Sequence, residues 1–392
     1  MRARLRGAMV SPALVLILEI GTVVVLLVQG LALWLAWEMP RLDPSSVPTG
    51  GEASSRVSVV IAARDEETDL AATLDSVLAQ RLVDLEVVVV EGGSRDRTRA
   101  VIEARAPRVR CLEEPPLPHG WIGKNWACWN GARSTGGDWL LFLDADVRLT
   151  PLAVRTTLDW AQDEGAALAS IAPRVEMAGF WERVVLPFYM QMVLMSYRAP
   201  HVNRPRSRTA IANGQYWLVR RRDYEDLGGH AAVRSYLLED IAIAQRFRAA
   251  GRPIRFAWAP GLATTRMYRD RHELFEGILR SLHGTRTSSL RPAVFLAGLV
   301  AFFWLPLSLL PAAAILGSDP LLVAGTVVAL ALFGKHAVFA RAVGVPPTYG
   351  LLFPLAVGFY LVALSTLLAR RVRGGALTWK GRSYLIGEDR SP

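Results

Sequence analysis

The stretch VSVVIAARDEETDLAATLDSVLAQRLVDLEVVVV, residues 57–90, decides the fold class. Val57–Ala63 is a short apolar run rich in β-branched residues, Glu67–Gln80 has helical spacing, and Leu85–Val90 is a second apolar run. The alternation continues with an expected helix over Asp96–Ala106, a strand over Val109–Leu112, a helix over Lys124–Ser134 and the strand WLLFL at Trp139–Leu143. Strand and helix in strict alternation imply an α/β domain with a mostly parallel sheet. Ligands of such sheets bind beyond the carboxyl ends of the strands. That draws attention to Arg64–Glu67, Glu91–Asp96 and Asp144–Asp146.

Outside this region the chain changes character. Its 392 residues are 52% hydrophobic and carry a net charge of +10, with a mean hydropathy of +0.25, which excludes a disordered protein. Ala8–Trp37 has Glu19 as its one charge, while Pro292–Gly317 and Ala342–Ala369 have none. Each is long enough to cross roughly 30 Å of hydrocarbon as a helix. The first has no cleavage pattern and ends in Trp34 and Trp37, so it reads as a retained anchor. A Pro-, Ser- and Gly-rich linker follows. The expected organisation is an anchor over 1–40, a linker over 41–55, a globular domain over 56–290, a membrane region over 291–370 and a basic tail over 371–392.

Cys111 and Cys128 cannot make a disulfide framework or a zinc site and read as small buried residues. Lysine occurs only at Lys124, Lys335 and Lys380, and arginine supplies the rest of the 45 cations. With no nucleic-acid-binding signature and several apolar spans, this charge suits anionic headgroups and phosphate-bearing ligands, not nucleic acid.

Asp144-Ala145-Asp146 follows a strongly apolar strand, and a two-residue period puts both carboxylates on one face. Paired carboxylates of this kind hold a hard divalent cation completed by substrate phosphates, although an acidic strand-to-turn pair is the plainer alternative. The surrounding run GKNWACWNGARSTGGDWLLFLDADVRLTP (123–151), the opening strand, and NGQYWLVRRRDYEDLGGHAAVRSYLLEDIAIAQRFRAAG (213–251) together resemble family 2 glycosyltransferases of the GT-A fold. PPLPHGWIGKNWA (115–127) is similar to a loop of the membrane glycosyltransferases associated with carotenoid and hopanoid pathways. In that loop Trp121 and Trp126 would wall an apolar pocket, and Lys124 would bring a cation to a helix N-terminus.

The resemblance implies a nucleotide sugar, a UDP-sugar first, bound by Ala63, Arg64, Glu66, Glu91, Ser94, Lys124, Asp144 and Asp146. It also implies Mg2+ or Mn2+ on Asp146 and Asp144. Glu91-Gly92-Gly93-Ser94-Arg95-Asp96 stands where the family usually has Asp-Asp-Gly-Ser-x-Asp, so the longer Glu91 takes the uracil-binding position. The Gln-x-x-Arg-Trp motif of processive synthases is missing, and Glu276–Arg286 occupies its place, which implies transfer of one sugar per encounter. The family pattern puts the general base at Asp240, with Glu239 beside it orienting the acceptor, and displacement of the diphosphate from the opposite face inverts the anomeric centre. The alternative for Glu239 and Asp240 is an acidic first turn of a helix. His230 reads as a loop or acceptor-side residue.

The implied activity is transfer to a hydroxyl or carboxyl of a lipid-like acceptor. A polyprenyl-phosphate acceptor, a nucleotidyltransferase and a non-catalytic scaffold or transport protein are the alternatives. Cytosolic donors call for a cytoplasmic catalytic domain on a multi-pass membrane protein. Arg2, Arg4 and Arg6 conflict with that by the positive-inside rule, whereas Arg370, Arg371 and Arg373 agree if the stretch Pro320–Ala342, interrupted by Lys335, His336 and Arg341, fails to cross. Phe180–Tyr197 carries a stripe of large apolar residues and reads either as core or as an interfacial wall of an acceptor channel. Tyr268–Leu282 is a second candidate for the same plane.

Overall fold

A computed structural model describes residues 12–44, 55–284, 294, 297–373, 376–379 and 382–385. The N-terminal arginines and most of the expected linker lie outside them. The chain divides into two compact units. One comprises Met39–Glu176, Ser196–Met267 and the chain from Ala376 on; the other comprises the chain up to Glu38, Met177–Met195 and Tyr268–Gly375.

The first unit is built on β1 (Val57–Ala63), α2 (Leu70–Leu78), β2 (Leu85–Glu91), α3 (Thr98–Glu103), β3 (Arg110–Glu113), α4 (Gly123–Arg133), β4 (Trp139–Leu143), β5 (Val147–Leu149), α5 (Ala153–Asp163), β6 (Leu168–Ala172), β7 (Arg174–Val175), β8 (Tyr216–Arg220), α7 (Arg221–Asp226), α8 (Glu239–Ala249), β9 (Ile254–Trp258) and β10 (Ala263–Thr265). The main sheet has the order β3-β2-β1-β4-β8-β6-β9. All pairs are parallel except those of β8, which runs antiparallel to β4 and β6.

The alternation of strand residues explains the layering. Val57, Val59 and Ile61 join Leu70, Leu74, Ile102 and Leu158 in the main core on one face. Val88, Val90 and Ala127 pack on the other face, beneath α4. There Gly131 is needed, because a Cβ would lie 2.4 Å from Val60 Cγ1. A small sheet, β5-β10-β7, sits at the carboxyl end of β4 and brings Thr265 opposite Val147. The unit also contains a C-terminal hairpin of β11 (Ala376–Trp379) and β12 (Arg382–Leu385).

The second unit is helical. It contains α1 (Pro12–Trp37), most of α6 (Phe180–Tyr197), α9 (Arg271–Gly284) and the helices Leu305–Leu316, Asp319–Ala342 and Phe353–Val372. Among the described residues, four stretches are long and apolar enough to cross a membrane: Ile20–Trp37, Ala297–Ile315, Asp319–Ala342 and Pro347–Val372.

One expectation is revised here, and one pair of alternatives is decided in favour of core. Asp319–Ala342 is one continuous helix of 24 residues, about 36 Å long at the usual rise. Lys335 and His336 do not interrupt it, because both are buried within the unit and Lys335 donates to Gln29 Oε1. The stripe on α6 is also not laid open to lipid along its length. Val184, Val185, Phe188 and Met192 are buried, with the Phe188 ring 5.2 Å from Phe303 and 5.3 Å from Tyr360. On α9, Leu274, Ile278 and Leu279 are buried in the same way.

Candidate active site

Two loops at the carboxyl ends of β1 and β2 are locked together by backbone-to-side-chain bonds. The N–H groups of Asp65, Glu66 and Glu67 donate to Ser94 Oγ (3.0 Å), Thr98 Oγ1 (2.7 Å) and Asp96 Oδ2 (3.0 Å). Ser94 N–H donates to Glu91 Oε1 at 2.6 Å, and Arg95 N–H to Asp65 Oδ1 at 2.8 Å. The Gly92 N–H is held by the Ala63 carbonyl at 2.8 Å, and Arg64 Nη1 reaches back to the Gly92 carbonyl at 2.9 Å. These bonds account for the start of α2 at Leu70, three residues later than the periodicity predicts: residues 64–69 form the interlock. Ala63, Arg64, Glu66, Glu91 and Ser94 thus share one edge, with Glu91 buried and one of its oxygens engaged by Ser94.

The centre of the site is Lys124, in the first turn of α4. Its Nζ lies 2.7 Å from Asp144 Oδ1 and 3.0 Å from Glu239 Oε1. Burial works against the ammonium, but Asp144 and Glu239 outweigh it and hold its pKa well above the usual lysine value. Asn125 fixes this helix end: its buried Nδ2 donates to the carbonyls of Val233 (3.0 Å) and Tyr236 (2.9 Å). Ile122 N–H adds a bond to the Arg234 carbonyl at 2.8 Å. The segment ahead of α8 is therefore fastened to the N-terminus of α4, and this brings Glu239 to Lys124.

Asp144 and Asp146 flank a turn and not a continuing strand. β4 stops at Leu143, Val147 N–H bonds the Asp144 carbonyl at 3.3 Å, and buried Ala145 points into the core. Asp146 Oδ2 accepts from Thr265 Oγ1 at 3.0 Å. Its carboxyl is pushed up to about 7, first by burial and then by the charge of Asp144, with Glu66 contributing. Carboxyls crowded in this way ionise together when a cation lies between them, so Asp146 and Asp144 fit a divalent ion. Among the described residues no three His, Cys, Asp or Glu side chains are placed to hold an ion. An ion here would take its remaining oxygens from elsewhere, as Mg2+ commonly does from phosphates.

Asp240 has a different environment from Glu239. Its Oδ1 accepts the Ile241 N–H at 2.8 Å, and its carboxyl is raised to about 7, first by burial and next by Glu239, against the opposing pull of Lys124. Gly214 makes room for it: a Cβ there would lie 3.1 Å from Asp240 Oδ2 and 3.4 Å from Lys124 Nζ. Gln215, the next residue, accepts the Asp144 N–H at its carbonyl, 3.1 Å away.

His230 departs from the acceptor-side reading. It is fully buried, Nδ1 lies 2.7 Å from Tyr224 Oη, and its ring is 4.7 Å from Phe142. Burial pushes its pKa down to about 3, so it is a neutral core residue. Trp121 and Trp126 do meet, edge to face at 4.8 Å. Sequence reasoning missed Thr265, Asn125, Gly214 and the pair formed by Glu114 Oε2 and Arg382 Nη2 at 2.6 Å. Their partners lie far away in the chain, and Arg382 in particular belongs to a segment read as a plain basic tail. Glu114 approaches the edge formed by the two loops after β1 and β2, with Oε2 3.4 Å from where a Gly92 Cβ would be, and Arg382 lies against Gly123.

Residues 58–228 match the family model Glycosyl transferase family 2. The chain is 27% identical over 220 residues to the 4,4'-diaponeurosporenoate glycosyltransferase of Staphylococcus haemolyticus, a match spanning 56% of this chain and 58% of that protein. It is 25% identical over 339 residues to the enzyme of the same name from Staphylococcus aureus, spanning 85% and 89%. A mannosyltransferase from Pyrobaculum calidifontis, solved with GDP-Man and Mn2+, shares the fold with a TM-score of 0.50 at 17% identity, over 91% of this chain and 98% of that one. The match to the model of glycosyl transferase family 2 covers residues 58–228, which hold most of the main sheet and the paired aspartates, and in these the chain is similar to that family.

Proposed function

We propose that this protein is a membrane-bound inverting glycosyltransferase that moves one sugar from a nucleotide sugar to the hydroxyl or carboxyl group of a carotenoid-like lipid. The observation that carries this reading is the Lys124 bridge. One ammonium ties Asp144 of the paired-aspartate turn to Glu239 of the acidic α8 turn, so a donor group and an acceptor group come within one site. The relatives' names supply the acceptor class.

In this reading the donor lies along the interlocked loops, with Glu91 and Ser94 toward its base and Asp144 and Asp146 toward its diphosphate. Asp146 and Asp144 would hold a divalent ion, Mg2+ or Mn2+, which would supply Lewis-acid stabilisation to a leaving diphosphate. Asp240, with a pKa near the working pH, takes the proton of an acceptor hydroxyl as oxygen attacks the anomeric carbon. Glu239, committed to Lys124, keeps that cation in place. A UDP-sugar is the preferred donor and a hexose the preferred sugar. The catalytic unit faces the cytoplasm, where nucleotide sugars are made, and the protein sits in the cell membrane.

Mass spectrometry of lipid extracts from cells with and without the gene tests this. The expected result is a glycosylated lipid present only with the gene. Accumulation of a polyprenyl-phosphate sugar, or no change in any glycolipid, contradicts it.

A further inference from the structure

The C-terminal hairpin reaches the sheet unit through one side chain. Arg382, the first residue of β12, donates from Nη2 to Glu114 Oε2 at 2.6 Å and from Nη1 to Glu114 Oε1 at 3.4 Å, across 268 positions of chain. Hairpin, Glu114 and α4 all belong to the same unit. The Glu114 side chain is 5% exposed, and a carboxylate buried that far needs a cation beside it. The same guanidinium rests on Gly123, the first residue of α4: a Cβ there would collide with Nη1 and lie 2.9 Å from Cζ. Glycine is a poor helix former, and the arginine packed on it accounts for its place in this turn.

These two contacts close a loop. The chain leaves β3 at Glu113 and enters α4 at Gly123, and between them Pro115, Pro116, Leu117 and His119 are exposed. Arg382 joins the two ends of that excursion. Each end leads to a part of the site already described. The Glu114 N–H donates to the Glu91 carbonyl at 2.9 Å, and Gly123 precedes Lys124, whose ammonium bonds Asp144 and Glu239. A lysine ammonium is a point charge on a flexible stem, so where it sits depends on how firmly the backbone beneath it is held. Asn125 fastens this turn of α4 to the segment before α8. Arg382 is a second fastening, and it comes from outside the residues that match the family model, 58–228.

We propose that Arg382 is a positioning residue for donor binding: by joining Glu114 to Gly123 it holds Lys124 where the ammonium meets a phosphate of the nucleotide sugar. Arg382 acts through the first turn of α4 and not by touching the reacting atoms. This rests on the nucleotide-sugar reading above and extends the donor site to the C-terminal hairpin.

The test measures binding of UDP and GDP to the full-length protein in phosphatidylcholine nanodiscs with Mn2+, by calorimetry, with uridine and guanosine as phosphate-free competitors. Gly123→Ala pushes the guanidinium off the helix and should weaken the preferred nucleotide at least 10-fold, with its nucleoside unchanged. The paired variant Glu114→Gln with Arg382→Ala leaves no lone buried charge and should weaken the nucleotide by a similar factor. Adding Gly123→Ala to that pair should cost less than 2-fold more, because the side chain it collides with is gone. Melting curves confirm that each variant is folded. Unchanged nucleotide affinity in folded Gly123→Ala overturns the proposal whether or not the paired variant folds. Losses that multiply in the triple variant, or an equal loss for the nucleoside, also overturn it. Failure of the unsubstituted protein to bind either nucleotide is a separate outcome that removes the donor reading and this inference with it.

Discussion

Glu239 gives its carboxylate to Lys124, whereas Asp240, one residue on, accepts a backbone N–H and is raised to about 7. A base with a raised pKa loses its active form as pH falls through that value. With an alcohol acceptor, turnover should therefore rise with pH through about 7 and level off above it, and Asp240→Asn should lower it by roughly 100-fold while sparing donor affinity. A carboxylic acid acceptor arrives already ionised, so the same variant should cost far less with it. Equal losses on both acceptors, or a loss of donor affinity, would show Asp240 to be structural. Asp146→Ala should abolish metal-stimulated donor turnover and leave the fold intact, which a melting curve and activity in chelator would check together. These five side chains, Lys124, Asp144, Asp146, Glu239 and Asp240, were legible because their motifs carry local signals. Thr265 and Arg382 were not, since each is defined by a partner more than a hundred positions away.

At the scale of elements, Val57–Ala63 and Trp139–Leu143 coincide with the apolar runs, because a strand buried on both faces leaves no ambiguous residue at its ends. Helix starts were less legible. Glu67–Leu70 has helical spacing, yet the N–H groups of Glu66 and Glu67 are held by Thr98, at the start of α3, and by Asp96 just before it. The α4–sheet contact gives a quantitative check. Gly131→Ala would gain about 1 kcal/mol from helix propensity alone. Its Cβ would meet Val60 Cγ1 at 2.4 Å and Val90 Cγ2 at 3.1 Å, and overpacking typically costs ~1–3 kcal/mol. Net destabilisation in a denaturant titration is expected; a more stable variant would mean that α4 can lift off the sheet freely.

At the scale of the whole chain, the Glu114–Arg382 pair constrains membrane topology. Both residues lie on one side of any bilayer, so the chain between them crosses an even number of times. Three of the four apolar stretches lie in that interval, and the expectation is that two of them cross fully. A cysteine at Arg95, in a Cys111→Ser background, and one appended after Pro392 should react alike with an impermeant thiol reagent on intact cells; opposite reactivity would break the pairing. The central claim is the reaction itself. It is tested most directly by incubating the purified protein in nanodiscs with Mg2+ or Mn2+, a panel of α-linked nucleotide hexoses, and a polyene alcohol and acid, then determining the product's mass and anomeric configuration by mass spectrometry and NMR. A lipid carrying one hexose in the β configuration is expected, and either no glycosylated lipid with any donor or a product retaining the α configuration would contradict the account.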